Sequence, residues 1–157
     1  MKHTIYALVE NKPGVLARIS GLFSARGFNI ESLAVGETHD PTMSRMTMIV
    51  DAKDEKILEQ IKKQLNKLID VVSVGDLTKK KFIERELVLI KINVAKTSKQ
   101  KLNEMLSKFS VRILSCEKST AIIEATETKE RTSLLLETLR KLGIKELVRT
   151  GRIAIAE

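Results

Sequence analysis

Asn11, Pro13 and Gly14 fall within four positions in "ENKPGVL", just ahead of a helical pattern, and Asn29 follows that pattern in "GFNIESL". These residue types at this spacing suit the capture of a small zwitterion. The first amides of a helix have no partner inside it and carry the positive end of its dipole, so an anion fits there. Pro13 has no N–H to lose and fixes φ near the helical value, while Gly14 lets a ligand come close to the backbone. The amides of Gly14, Val15 and Leu16 are then available to a carboxylate. Asn11 can cap the helix or bond to the same ligand, and the neutral amide of Asn29 offers an acceptor to an ammonium and donors to a carboxylate. The same residues also describe a plain capped turn and a helix stopped at Gly27, and spacing alone leaves both readings open.

Other chemistry is thinly represented. Cys116 is the only cysteine and stands with two histidines, His3 and His39, so there is no internal disulfide and no zinc-type ligand spacing. Cys116 reads as a small buried thiol on a strand, and the histidines as structural. No P-loop, dinucleotide fingerprint or nucleophile with a histidine partner occurs, and the scattered carboxylates lie at helix starts and strand ends. A chain without catalytic residues or metal ligands is expected.

The net charge of +8 is unevenly distributed: residues 1–77 carry 10 Lys and Arg against 10 Asp and Glu, and residues 78–157 carry 18 against 10. With only 3% aromatic residues, the basic half lacks stacking platforms for single strands, and it reads as a lysine-rich solvated surface rather than a nucleic-acid site. A ligand-responsive DNA-binding regulator is the competing class, but no helix-turn-helix pattern supports it. No apolar run approaches the length that a bilayer crossing requires, and the N-terminus lacks the pattern of a secretory signal, so a cytoplasmic protein without membrane contact is expected.

The elements that must position the turn follow from periodicity. Ile5, Ala7 and Val9 alternate with Tyr6, Leu8 and Glu10 as a strand, and Val15, Leu16, Ile19, Leu22 and Phe23 recur at helical spacing. A hairpin with its tip at "THDPTMS" comes next, then a helix capped by Asp54 with Ile57, Leu58, Ile61, Leu65 and Leu68 on one face, then the strand "DVVSVGDL". From about residue 84 the order βαββαβ returns: "ELVLIKINV", a helix with Leu102, Met105, Leu106 and Phe109, strands "VRILSCE" and "TAIIEAT", a helix with Leu134, Leu135, Leu139 and Leu142, and a closing strand "ELVRTGRIAIA".

The expected fold class is α+β, with two tandem ferredoxin-like βαββαβ domains at 1–77 and 84–157 and a charged linker at 78–83. Right-handed crossovers put both helices of a unit on one sheet face and leave the other open. Since Tyr6 and Leu8 on that other face are apolar, a second copy of the chain is the expected cover, as a symmetric homodimer.

"LVENKPGVLARISGLFSARGFNIESLAVG" followed by "DPTMSRMTMIV" resembles the ACT domain of the small regulatory subunits of acetolactate synthase (acetohydroxyacid synthase), and "ERELVLIKINV" and "VRTGRIAIA" resemble that family's second domain. The resemblance implies a non-catalytic subunit that pairs through its ACT domains and binds a large catalytic subunit using thiamine diphosphate, FAD and magnesium. This chain itself would carry no cofactor. Such a subunit raises the activity of its partner and makes it sensitive to a branched-chain amino acid, usually valine. Matched residue by residue, the effector loop falls on Asn11, Gly14, Val15 and Leu16, and the facing contacts on Asn29 and Ile30 of the second copy. Gly36 stands where the family commonly has alanine, and Ala17 where some members have serine.

Overall fold

The computed structural model of the chain describes residues 1–157. In β1 (Lys2–Glu10) the alternation is realised: Ile5, Ala7 and Val9 are buried, and Tyr6 and Leu8 lie half-buried on the opposite face. α1 (Val15–Ser24) forms because Val15, Ile19 and Phe23 recur every fourth residue and all three reach the core. β2 (Ile30–Glu37) and β3 (Met43–Asp51) make the expected hairpin. At its tip the Asp40 carboxylate accepts from the Thr42 hydroxyl at 2.7 Å and the Thr42 N–H at 2.9 Å, and these bonds hold its pKa below the ordinary carboxylate value.

α2 (Glu55–Leu65) starts at Asp54, whose carboxylate accepts from the Ile57 N–H at 2.9 Å, and it buries Leu58, Ile61 and Leu65. β4 (Val71–Asp76) completes an antiparallel sheet in the order β2-β3-β1-β4, with β2 and β4 at its edges. Both helices pack on the face that presents Ile5, Ala7, Met46 and Met48.

The second half repeats the plan. β5 (Phe82–Asn93), α3 (Lys99–Leu106), β6 (Val111–Glu117), β7 (Thr120–Glu127), α4 (Lys129–Arg140) and β8 (Ile144–Arg149) build a sheet in the order β6-β7-β5-β8. Ser98 and Thr128 cap its helices, and Ile90, Ile92, Ile123, Leu102, Leu135 and Leu139 form its core. The fold class is therefore α+β with two ferredoxin-like βαββαβ units, as the periodicity predicts.

The chain parts into two compact units, Met1–Glu84 with Arg152–Glu157, and Arg85–Gly151. The stretch 78–83 is a turn at residues 78–80 that runs into β5 at Phe82. The closing strand is two strands rather than one. Gly151 adopts φ 84°, a left-handed conformation that interrupts extended backbone and that side-chain-bearing residues avoid, and β9 (Ile153–Ala156) starts afresh beyond it. β9 pairs with β5, Glu157 N–H donating to the Lys81 carbonyl at 3.1 Å, and residues 152–157 belong to the first unit.

That return corrects the expectation of an open sheet face awaiting a second copy. Thr47 and Ile49 point away from the two helices yet are 3% and 1% exposed. Arg152 N–H donates to Ser32 Oγ at 3.0 Å, Arg45 donates to the Ala154 carbonyl at 3.0 Å, and the Arg45 guanidinium lies 4.0 Å over the Tyr6 ring. The chain's own end takes part in covering that face. Cys116 also departs from its reading. It sits on edge strand β6, where alternation turns Arg112, Leu114 and Cys116 outward, and it is exposed. No helix is long and apolar enough to cross a membrane.

Candidate effector site

β1 delivers the chain to the turn, and the turn is tied down from several sides. Asn11 N–H donates to the Thr42 carbonyl at 2.7 Å, and Lys12 N–H to the Glu10 carbonyl at 3.1 Å. The Asn11 side-chain amide donates to Glu37 Oε1 at 3.2 Å and to the Pro41 carbonyl at 2.9 Å. Asn11 thus braces the tip of the β2–β3 hairpin against the turn and does not cap α1. The capping position is Gly14 at φ 84°, ψ −10°, with no side-chain hydrogen bond to the helix. Only glycine takes this conformation without strain.

The consequence is a helix start whose amides are left for another partner. Arg18 N–H makes the first full-turn bond, to the Gly14 carbonyl at 3.0 Å, and the Val15 N–H reaches only the Lys12 carbonyl at 3.4 Å. The amides of Leu16 and Ala17 precede the helical ladder and belong to the unpaired first turn. Val15 directs its side chain into the core, so its backbone alone can meet a ligand; Leu16, 47% exposed, is left as the apolar contact.

Two cations flank the turn. The Arg18 guanidinium donates through Nε and Nη2 to Asp70 Oδ2, each at 2.8 Å, and its Nη1 stands 3.3 Å from where a Cβ on residue 14 would be. Asp70 is buried, so it fixes the orientation of the fork. Lys12 pairs with Glu10 at 2.7 Å, and that hydrogen bond raises the Lys12 pKa above its ordinary value. Arg18 and Asp70 do not stand out in the sequence by residue type or spacing. The one signal for Arg18 is its position a helical turn beyond Gly14, which puts those two residues on one face.

The structure does not bring Asn29 and Ile30 to this turn within one chain. Ile30 pairs with Val50, and Val50 with His3, at the start of β1; Asn11 lies just past the other end of the same strand. Eight residues of extended chain separate those levels by roughly 25 Å. Asn29 is exposed and its side chain makes no hydrogen bond, and Ile30 is half-buried against the core. No group of three His, Cys, Asp or Glu residues is placed to hold a metal ion.

Known proteins match this chain along nearly its whole length. The family model described as the AHAS small subunit-like ACT domain matches residues 5–73, and that described as the small subunit of acetolactate synthase matches residues 85–157. The acetolactate synthase small subunit of Mycolicibacterium smegmatis is 44% identical over 154 residues, covering 98% of this chain and 90% of the relative. That of Bacillus subtilis is 39% identical over 156 residues, covering 99% and 91%. The crystal structure of the acetolactate synthase small subunit from Thermotoga maritima superposes with a TM-score of 0.91 at 35% identity, covering 100% of this chain and 98% of that one. With the turn, the paired βαββαβ units and both family matches in agreement, the chain belongs to the small, regulatory subunits of acetolactate synthase, of branched-chain amino-acid biosynthesis.

Proposed function

We propose that this chain activates a thiamine-diphosphate-dependent large subunit of acetolactate synthase and confers feedback inhibition by valine, working as a homodimer in the cytoplasm. The observation that carries the reading is the placement of the two half-sites. The Asn11–Leu16 turn follows the interior strand β1, Asn29–Ile30 opens the edge strand β2 at the opposite end of the same sheet, and Asn11 reaches the far end of β2 through Glu37.

Antiparallel pairing of two β2 edges about a two-fold axis sets the start of each β2 beside the end of its partner. Glu37 at that end is hydrogen-bonded to Asn11, so Asn29 of one copy meets the Gly14 turn of the other. Val35 on β2 and Leu16 at the start of α1, each 47% exposed, supply apolar surface. In this arrangement the valine carboxylate takes the first-turn amides beside Arg18, its ammonium takes the carbonyl oxygen of the Asn29 side chain, and its isopropyl group lies between Leu16 and Ile30. Leucine and isoleucine differ by one methylene, worth about 1–3 kcal/mol, so they bind more weakly without being excluded.

Inhibition then requires that valine prefer one arrangement of the dimer and that the catalytic subunit distinguish the same arrangements. A coupling of about 1–3 kcal/mol is ordinary, and linkage makes catalytic-subunit binding shift valine affinity by the same factor. The test is acetolactate formation by a large subunit with and without this chain. Added chain raises the rate, and valine lowers it in wild type but not in Asn29→Ala. No stimulation overturns the activator role, and stimulation that valine leaves untouched overturns the effector.

A further inference from the structure

Residues 68–72 carry the chain from α2 into β4, and their side chains do not all face the same way. Leu68 and Val71 pack against the core of the first unit, and Asp70 is buried. Ile69 and Val72 are turned into solvent, 95% and 60% exposed. Neither exposure comes from slack chain. The Val71 N–H donates to the Leu68 carbonyl at 3.0 Å, the Leu68 N–H to the Leu65 carbonyl at 3.0 Å, and the Glu10 N–H to the Asp70 carbonyl at 2.9 Å. The Asp70 carboxylate accepts both bonds of the Arg18 fork.

Val72 is the extra residue where the β1–β4 register slips, Leu8 facing Ser73 and Val9 facing Val71. Such a bulge re-aims a side chain and spoils an edge strand for pairing with another strand. The segment is thus a fixed mount for two apolar side chains, and apolar surface held in water in this way marks a site of protein interaction. The topology narrows the occupant. β4 is the edge opposite β2, so pairing of two β2 edges leaves it at the outside of the joined sheet. A further copy added there would meet edge to edge without closing the assembly, and the bulge opposes that pairing. The pair therefore fits a pocket rather than a strand, on a partner of another kind. Lys67, exposed two positions before Ile69 and in no ion pair, adds positive charge beside it, which an acidic rim on that pocket complements.

Given the regulatory role proposed above, on which this assignment rests, the geometry points to Ile69 and Val72 as the surface that docks the large catalytic subunit, entering an apolar pocket with an acidic rim. Asp70, between them in sequence, holds the Arg18 fork beside the Gly14 turn. The docked subunit and an effector carboxylate then act on one ion pair, which gives their coupling a physical seat.

The experiment titrates a large subunit with the full wild-type chain, with Ile69→Asp and with Ile69→Leu, and reads acetolactate formation. Ile69→Asp sets a charge in the apolar pocket and raises the concentration for half-maximal stimulation at least about tenfold, whereas Ile69→Leu stays within about threefold of wild type. Valine calorimetry, sedimentation and the urea midpoint of the chain alone are unchanged in both variants, since the side chain lies in solvent. Stimulation by Ile69→Asp at wild-type concentrations overturns the docking surface. So does a dimer that Ile69→Asp dissociates, which would make the surface a contact between copies. Both outcomes leave the regulatory role standing; a large subunit that the wild-type chain fails to stimulate overturns that role and this surface with it.

Discussion

Gly14→Asp removes high-affinity valine binding. The backbone at this position has φ 84°, so any side chain costs about 1–2 kcal/mol of strain. The new Cβ also stands 3.3 Å from Arg18 Nη1, which brings the introduced carboxylate onto the guanidinium that faces the turn. The substitution therefore occupies Arg18 Nη1, the part of the fork that Asp70 leaves open, and sets a negative charge where the valine carboxylate is expected. Loss of one charge-assisted contact and its replacement by repulsion weakens binding by at least about 100-fold, or about 2.7 kcal/mol. Gly14→Ala separates the causes, because it adds the same Cβ without the charge; it retains affinity within about tenfold of wild type. Calorimetric titration with valine checks both, and wild-type affinity in Gly14→Asp contradicts the anion assignment.

Phe23→Ala has the largest expected effect on stability. Phe23 is 1% exposed, the last buried residue of α1, and its ring meets Phe28 edge-on with centroids 6.5 Å apart. Truncation of such a ring costs roughly 3–5 kcal/mol, a large part of the 5–15 kcal/mol that holds a domain together. The Phe23 carbonyl also accepts from the Phe28 N–H at 3.0 Å, so the ring and the backbone together fix the segment that presents Asn29. Two units need not unfold together, and a whole-chain signal would mix them. Tyr6 is the only tyrosine of a chain without tryptophan, so its fluorescence follows the first unit alone. In urea that signal shifts to a lower midpoint in Phe23→Ala. An unchanged midpoint contradicts the packing described.

What the sequence made legible here is what local patterns control. Alternation in β1, fourth-residue spacing in α1 and the Asp54 cap each depend on neighbours along the chain, and each appears as read. Contacts made at a distance were less accessible. Alternation places Cys116 on one of two faces of β6 but does not say which face is solvated. Asn11 has the residue type of a helix cap, and only the folded hairpin, with Glu37 and Pro41 within reach, offers its amide better acceptors. Likewise "ELVRTGRIAIA" reads as one strand because its apolar residues continue past Gly151. The left-handed break there and the bonds of Arg152 to Ser32 and Glu84 depend on residues far away in the chain. The candidate site shows the same division: the turn is visible in "NKPG", whereas the fork of Arg18 on Asp70 joins residues 52 positions apart.

If one valine is held by two chains, two variants that each fail to bind it restore a site when they pair. Gly14→Asp and Asn29→Ala are each titrated with valine alone, then after subunit exchange in a 1:1 mixture. In a mixed dimer the intact turn of the Asn29→Ala chain meets the intact Asn29 of the Gly14→Asp chain, so one of the two sites is restored. Random pairing makes half of the dimers mixed, and the predicted result is about one quarter of the wild-type number of sites, at wild-type affinity. No recovery in a mixture shown to have exchanged would contradict a site shared between chains.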